Sequence, residues 1–330
     1  MIIADVTPVA VSMGDPAGIG PEIVAKAWGA RSVLPPFVMI GDAAAVRAVW
    51  SGPVAVVETL EQGLAAFGRA LPVLSTGETG VRTPGSPDEA GAGSALQALE
   101  MAVGLVRQGA ASALVTGPVS KAALYAVGFT HPGQTEFVAE RCGVTARNAV
   151  MMLAGPSLRV VPITGHVPLA DVSRLMTCEL IVAKGRATAR GLQRSFGIAA
   201  PRLAFAGLNP HAGESGTIGR EEIDAMVPAI AELRAEGIDA SGPHAADTLF
   251  HPRARARYDA VLCPTHDQAL IPLKTIHFDE GVNVTLGLPI VRTSPDHGTA
   301  FDIAGKDVAE PGAMIAAIAM AGEMAGRRLG

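Results

Sequence analysis

Charge is scarce in this chain: Asp, Glu, Lys and Arg make up 17% of its 330 residues, while hydrophobic types make up 49%. That ratio excludes a solvated, disordered polymer and requires a folded, core-rich protein. The charges sum to −5 with no basic block, which excludes a nucleic-acid groove or an anionic membrane surface as the partner. Lysine is scarcer still, occurring only at Lys26, Lys121, Lys184, Lys274 and Lys306. An anionic ligand must therefore be held by a few placed cations, and a lysine inside a polar motif is informative. Cysteine is nearly absent: Cys142, Cys178 and Cys263 are odd in number and lack CxxC spacing, which fits a reducing compartment and small core residues rather than a disulfide scaffold. Mean hydropathy is positive at +0.33, yet no run reaches the roughly 18 consecutive apolar residues of a membrane span. Met1 to Val11 carries Asp5 and Pro8 and no positively charged leader, so no signal peptide and a cytoplasmic location are expected.

What is present is alternation. Short apolar runs bounded by Gly, Pro and polar turns predict strands at 9–13, 36–40, 113–116, 159–164, 202–207, 260–264 and 288–292; near-continuous apolar character suits strands covered on both faces. Amphipathic helices lie between them. Ser94 is a candidate N-cap for a helix burying Leu96, Leu99, Val103 and Val106. A second helix, 221–236, is expected to bury Ile223, Met226, Val227, Ile230 and Leu233, with Pro228 marking a kink or a later start. Residues 81–93, rich in Gly and Pro, read as a surface loop. The fold class is α/β, and the length is near the limit of one core, so two domains, or one large α/β domain with an insertion, are expected.

Ligands of open α/β sheets gather at the carboxyl ends of strands. Three of the eight histidines follow apolar runs directly: His166, His211 and His266. Three imidazoles with an open position make a catalytic divalent-metal site; each alone reads equally well as a strand-end histidine bonded to a carbonyl. His131, His244, His251 and His277 lack that repeated context. The loop from Gly14 to Glu22 follows the first strand and leads into a helix, but it lacks GxGxxG spacing, so it is either a backbone cradle or a tight structural turn. Lys121, after Thr116-Gly117-Pro118, is either a ligand contact or a solvated helix-start residue. Between His266 and Gly305 lie Asp267, Lys274, Asn283, Arg292, Asp296, His297 and Asp302, a set whose cations and amide suit carboxylate or phosphate oxygens. Asp247 is either a carboxylate near the metal or an N-cap.

Together these segments are distinctive: Gly14-Asp-Pro-Ala-Gly-Ile-Gly-Pro-Glu22, Thr116-Gly-Pro-Val-Ser-Lys121, Leu208-Asn-Pro-His-Ala-Gly-Glu214, Ala246-Asp-Thr-Leu-Phe250, His266-Asp-Gln268, Gly281-Val-Asn-Val-Thr-Leu-Gly-Leu-Pro289 and Arg292-Thr-Ser-Pro-Asp-His-Gly-Thr-Ala300. In order and over nearly the whole chain, they resemble the 4-hydroxythreonine-4-phosphate dehydrogenase family of pyridoxine biosynthesis. The segment from His297 to Gly305 also looks like the adenine-side loop of isocitrate and isopropylmalate dehydrogenases. The resemblance implies two α/β/α domains with mixed sheets and an active-site cleft between them, one formed by 1–128 with 306–330 and the other, carrying metal ligands and dimer interface, by 129–305.

It further implies that His166, His211 and His266 ligate one divalent metal (zinc, magnesium or cobalt) in a homodimer whose interface supplies ligands from both chains. Gln134, Thr135, Lys274, Asn283 and Arg292 would contact substrate, and His297, Gly298 and Asp302 would contact NAD or NADP. Gln134 stands where the family has histidine, and its amide brings no positive charge to a phosphate. The implied reaction is metal-dependent, NAD(P)-linked oxidation and decarboxylation of 4-phosphooxy-L-threonine to 3-amino-2-oxopropyl phosphate, with Asp247 or Lys274 as proton acceptor. Family relatives acting on D-erythronate or D-threonate 4-phosphate, or on an aromatic cis-dihydrodiol, define the alternative substrates; Asn283 and Arg292 favour a phosphorylated hydroxy acid. A hydrolase or aldolase on the same three histidines, and a non-catalytic metal-dependent binding protein, are the rival classes.

Overall fold

The computed structural model describes residues 7–77, 83–145 and 147–329. Met1 to Val6, and Val81 and Arg82 of the expected 81–93 loop, lie outside the described residues. The chain divides into two compact units, Met1–Ala146 with Leu288–Gly330 and Arg147–Gly287. The strands are β1 (Val9–Ser12), β2 (Phe37–Gly41), β3 (Val54–Val57), β4 (Leu71–Ser75), β5 (Ala113–Thr116), β6 (Val150–Gly155), β7 (Leu158–Pro162), β8 (Arg202–Ala206), β9 (Asp239–His244), β10 (Ala260–Cys263), β11 (Val282–Leu286) and β12 (Arg292–Pro295).

In the first unit six strands run in the order β3-β4-β2-β1-β5-β12 and every pairing is parallel. β1, β2 and β5 are buried along their whole length, which is why they read as unbroken apolar runs. Helices Glu89–Arg107 and Gly312–Leu329 pack against these strands. The first is longer than its sequence suggests. Its N-cap is Asp88, whose Oδ1 accepts from Gly91 N at 2.6 Å, and Ser94 is buried inside it. Two glycines in the first turns hide that start, so 89–93 is helix rather than loop.

The second unit orders its strands β11-β6-β7-β10-β8-β9, antiparallel at β11·β6 and β6·β7 and parallel from β7 to β9. Its core gathers Leu153, Val160, Ala204, Val261, Cys263 and Leu273. Cys263 is fully buried, and burial pushes its thiol pKa up, as a small inert core residue requires. The expected strand at 288–292 is instead a connection: β11 ends at Leu286, and Gly287 turns the chain with φ +84 before β12 begins at Arg292. Leu288 and Val291 are buried without being paired as a strand. The expected helix at 221–236 opens with a π-helical turn, Glu222–Met226, and becomes α-helical at Val227–Ala235 with Pro228 in its first turn, so the residue without an N–H stands where the hydrogen-bond ladder changes register. The wider π-turn rotates the face, so Ile223 and Val227 are exposed while Met226, Ile230 and Leu233 stay buried.

Candidate active site

Strands β7, β10 and β8 are neighbours in parallel register, Val160 and Ala204 flanking Val261, so their carboxyl ends share one edge. Beyond that edge come His166, His266 and His211, four, three and five residues after the last strand residue. The exits are tied together. Ile163 N donates to Cys263 O at 2.7 Å, and buried Thr164 donates its hydroxyl to Pro264 O at 2.6 Å. This brings the His166 and His266 rings to 5.1 Å between centroids. Thr265 and Gln268 form a capping box that starts helix His266–Ile276, and Gln268 Nε2 also reaches Gly207 O at 3.0 Å, bracing the β10 exit to the β8 exit. His266 Nδ1 lies 2.9 Å from Asp267 Oδ1; a carboxylate there accepts only, so Nδ1–H donates to it and fixes the ring with Nε2 directed away from Asp267.

His211 sits on an unusual turn. In Pro210–Gly216 the residues His211, Ala212, Glu214 and Ser215 have φ between 41 and 57, with Gly213 at 79. Four non-glycine conformers of that kind are costly, about 1–2 kcal/mol each. Two carboxylates hold the turn. Buried Glu222 accepts Asn209 N at 2.7 Å and Asn209 Nδ2 at 2.9 Å, and Glu221 accepts the same amide at 2.8 Å and the Ser173 hydroxyl at 2.6 Å. Hydrogen bonds, that from Ser173 foremost, pull the Glu221 carboxyl down to about 2. A Cβ on Gly213 would meet Glu222 Oε2 at 2.7 Å, so the carboxylate occupies the space only glycine leaves.

Asp247 is exposed in the turn Ala246–Thr248, which lies against the His211 turn. It makes no cap bond, so the N-cap reading is set aside. Lys274 lies on the helix of His266, half-buried. Asn283, in β11, keeps Oδ1 buried without a hydrogen-bond partner among the described residues.

In the first unit the glycine loop is a close crossing of backbones rather than an open cradle. Gly14 has φ +80, and a Cβ there would meet Pro118 O at 2.3 Å; Gly20 would meet Met13 O at 2.1 Å. Ile19 N–H is already given to Thr299 O at 2.9 Å. Buried Glu22 instead anchors the segment after β12, accepting Gly305 N and Ala309 N at 3.2 Å each, while Lys26 reaches Ala309 O at 2.9 Å. The segment so held presents His297, Gly298 and Asp302 at the surface, and nothing lies within 4 Å of a Cβ placed on Gly298. Lys121 opens helix Lys121–Ala126 and is exposed.

Arg292 is 3% exposed; its guanidinium donates to Thr116 Oγ1 at 2.7 Å and to Thr135 Oγ1 at 3.4 Å. Burial pushes its pKa down to about 10 against the pull of Glu136, and it remains a cation at neutral pH. Thr135 and Gln134 open helix Gln134–Arg141, whose N-terminus has no side-chain cap, leaving first-turn N–H groups for an anion. Gln134 donates Nε2–H to Gly117 O at 3.1 Å and keeps Oε1 buried without a partner among the described residues.

Among the described residues no three His, Cys, Asp or Glu side chains of this one chain converge on a common metal position. His166 and His266 do converge, with an oriented imidazole and a carboxylate behind it, and that donor set fits a divalent metal. Glu221, Glu222 and Thr164 escape sequence reasoning: a carboxylate pair ahead of an amphipathic stretch reads as solvated face, and only its proximity to Asn209 in space reveals the anchor.

Comparison with known proteins gives one answer. The model of the family described as "Pyridoxal phosphate biosynthetic protein PdxA" matches residues 33–321. A Zymomonas mobilis protein named 4-hydroxythreonine-4-phosphate dehydrogenase is 61% identical over 97% of this chain and 96% of its own. The crystal structure of a Klebsiella pneumoniae 4-hydroxythreonine-4-phosphate dehydrogenase superposes with TM-score 0.87 at 36% identity, covering 97% of this chain and 99% of that one. A terephthalate 1,2-cis-dihydrodiol dehydrogenase from Burkholderia xenovorans is more distant, TM-score 0.65 at 31% identity over 96% and 98%. On a match of this extent, the chain belongs to the PdxA family of pyridoxal phosphate biosynthetic proteins.

Proposed function

We propose that the protein is a metal-dependent, NAD(P)-linked dehydrogenase that oxidises and decarboxylates 4-phosphooxy-L-threonine to 3-amino-2-oxopropyl phosphate. Family membership and the names of its relatives support the activity. The structural observation that carries it is the placing of His166, His266 and His211 on three adjacent parallel strand exits. These three residues would hold zinc, magnesium or cobalt, with a second copy of the chain in a homodimer completing the set. The metal, when bound, supplies Lewis-acid polarisation of the substrate's secondary hydroxyl. His297, Gly298 and Asp302 would hold NAD or NADP, which supplies the hydride acceptor.

The chain's own residues do the rest. Arg292 offers a fixed, buried cation to an anionic oxygen, with the Thr116 and Thr135 hydroxyls orienting its fork. Gln134 Oε1 and Asn283 Oδ1 are buried acceptors and suit substrate hydroxyl or amino groups. Either Lys274 adds a second cation and Asp247 accepts the hydroxyl proton as the carbonyl forms, or Lys274 in its neutral form accepts that proton. Fixing the substrate through several such groups gives the reacting atoms their effective molarity.

The experiment is formation of reduced nicotinamide by purified protein with zinc, magnesium or cobalt and each of 4-phosphooxy-L-threonine, D-erythronate 4-phosphate, D-threonate 4-phosphate and an aromatic cis-dihydrodiol. Turnover of the first above the others is expected. Preference for another member would reassign the substrate, and no reduction with any would remove the dehydrogenase reading.

A further inference from the structure

The second unit carries a pocket of about 540 Å³ along β8 and β9, lined from Arg202 and Asp239 at the strand starts to His244 at the end of β9 and Thr248 just beyond it. Its floor includes Ala204 and Ser241, which are paired across the two strands. Leu249 and Tyr258, both buried, make an apolar wall, and the Tyr258 hydroxyl is already spent on Leu249 O at 2.9 Å. The charges around it are uneven: Arg202, Arg253 and Arg257 against the single carboxylate of Asp239, in a chain of net charge −5.

These cations differ in what they are free to do. Arg202 is committed, forking onto both Asp259 oxygens at 3.1 and 3.0 Å and giving a further N–H to Ala256 O at 3.0 Å. The Arg253 and Arg257 side chains are exposed and make no ion pair or hydrogen bond among the described residues. His251 lines the same pocket, and its Nδ1 accepts Ala254 N at 3.3 Å; the ring proton is therefore on Nε2, a donor not used by that cap. Two guanidinium forks and an imidazole N–H offer more donors than the two oxygens of a carboxylate use, and they match the three terminal oxygens of a phosphate ester. An apolar body of ring size then finds Ala204, Leu249 and Tyr258 beneath it.

We propose that this pocket is a second ligand site, lined by none of the residues assigned above to metal, substrate or cofactor, for a phosphate monoester with a compact apolar body, its phosphate held by Arg253, Arg257 and His251. The chain has only two tyrosines, Tyr125 and Tyr258, so 3-fluorotyrosine gives two fluorine resonances, assigned with Tyr125→Phe. Phenyl phosphate is titrated into the full-length protein and the Tyr258 resonance is followed. A saturable shift is expected, with the midpoint raised roughly a hundredfold in R253A/R257A, about tenfold for each guanidinium removed from the phosphate. Inorganic phosphate should bind more weakly than phenyl phosphate, and dehydrogenase turnover of R253A/R257A should equal that of the wild type. A Tyr258 resonance that does not move, or an unchanged midpoint in R253A/R257A, overturns the site. Benzoate binding as tightly as phenyl phosphate overturns the phosphate assignment. Because the readout is a resonance and not turnover, its failure is distinguishable from failure of the dehydrogenase reading.

Discussion

Glu222→Ala tests whether the strained turn at His211 is what makes the β8 exit a metal-binding position. Glu222 is 2% exposed and accepts two hydrogen bonds from Asn209, at 2.7 and 2.9 Å. Bonds to a charged acceptor contribute about 1.5–3 kcal/mol each, so about 3–6 kcal/mol of anchoring is removed. The four non-glycine residues held at positive φ store about 4–8 kcal/mol at 1–2 kcal/mol apiece. Anchor and strain are of the same order, so the turn relaxes once the carboxylate is gone, while the strands beneath it keep their pairing. Zinc affinity should fall about 10–100-fold, the loss typical of supporting residues around a metal ligand, with far-ultraviolet dichroism unchanged. Isothermal titration with zinc on wild type and variant is the assay. Unchanged zinc affinity in a folded Glu222→Ala protein would refute the reasoning, because His211 would then be placed without its anchor.

Three further outcomes follow from the same geometry. Gly14→Ala should lower stability by more than about 2 kcal/mol in a denaturant titration, since φ is +80 and the new methyl would stand 2.3 Å from Pro118 O. Glu22→Ala frees the backbone at Gly305 and Ala309 and should raise KM for the nicotinamide cofactor while leaving zinc affinity unchanged; a changed zinc affinity with unaltered KM would contradict the assignment of the 297–309 segment to the cofactor. Glu221 has its folded pKa depressed from 4.5 to about 2, so the stability it contributes is fully present above pH 4.5 and is lost as pH falls toward 2. The difference in Tm between wild type and Glu221→Gln should accordingly close across that interval, and a gap that widens toward acid would contradict the sign.

Much of this architecture is legible in the sequence. β1, β2, β5 and β10 are short runs buried on both faces, as is β8 after its exposed first residue Arg202, and continuous apolar sequence marks such strands almost to the residue. β9, reading Asp239-Ala-Ser-Gly-Pro-His244, carries no apolar signal; it is a strand at the end of its sheet because β8 pairs with it. The connection 287–291 reads as a strand because a buried loop and a buried strand share composition, and only the positive φ of Gly287 separates them. For the site, strand-exit position picks out His166, His211 and His266, since an apolar run followed by histidine is a local pattern. The left-handed turn under His211 is not legible, because His211-Ala-Gly-Glu-Ser215 contains a single glycine and the residue that leads into it, Asn209, is held by Glu221 and Glu222 from twelve and thirteen positions away. The buried cation Arg292 is visible as a residue, but its partners Thr116 and Thr135 lie 176 and 157 positions distant, a proximity that only folding creates.

The central claim is that this chain carries out metal-dependent dehydrogenation of a phosphorylated hydroxy acid. The most direct measurement is reduced-nicotinamide formation from 4-phosphooxy-L-threonine by wild type, by chelator-treated protein with and without restored zinc, and by His166→Ala. Turnover is expected in the wild type, with loss on chelation, return with zinc, and none in His166→Ala despite an unchanged fold. Undiminished turnover in the chelated protein or in His166→Ala would contradict it.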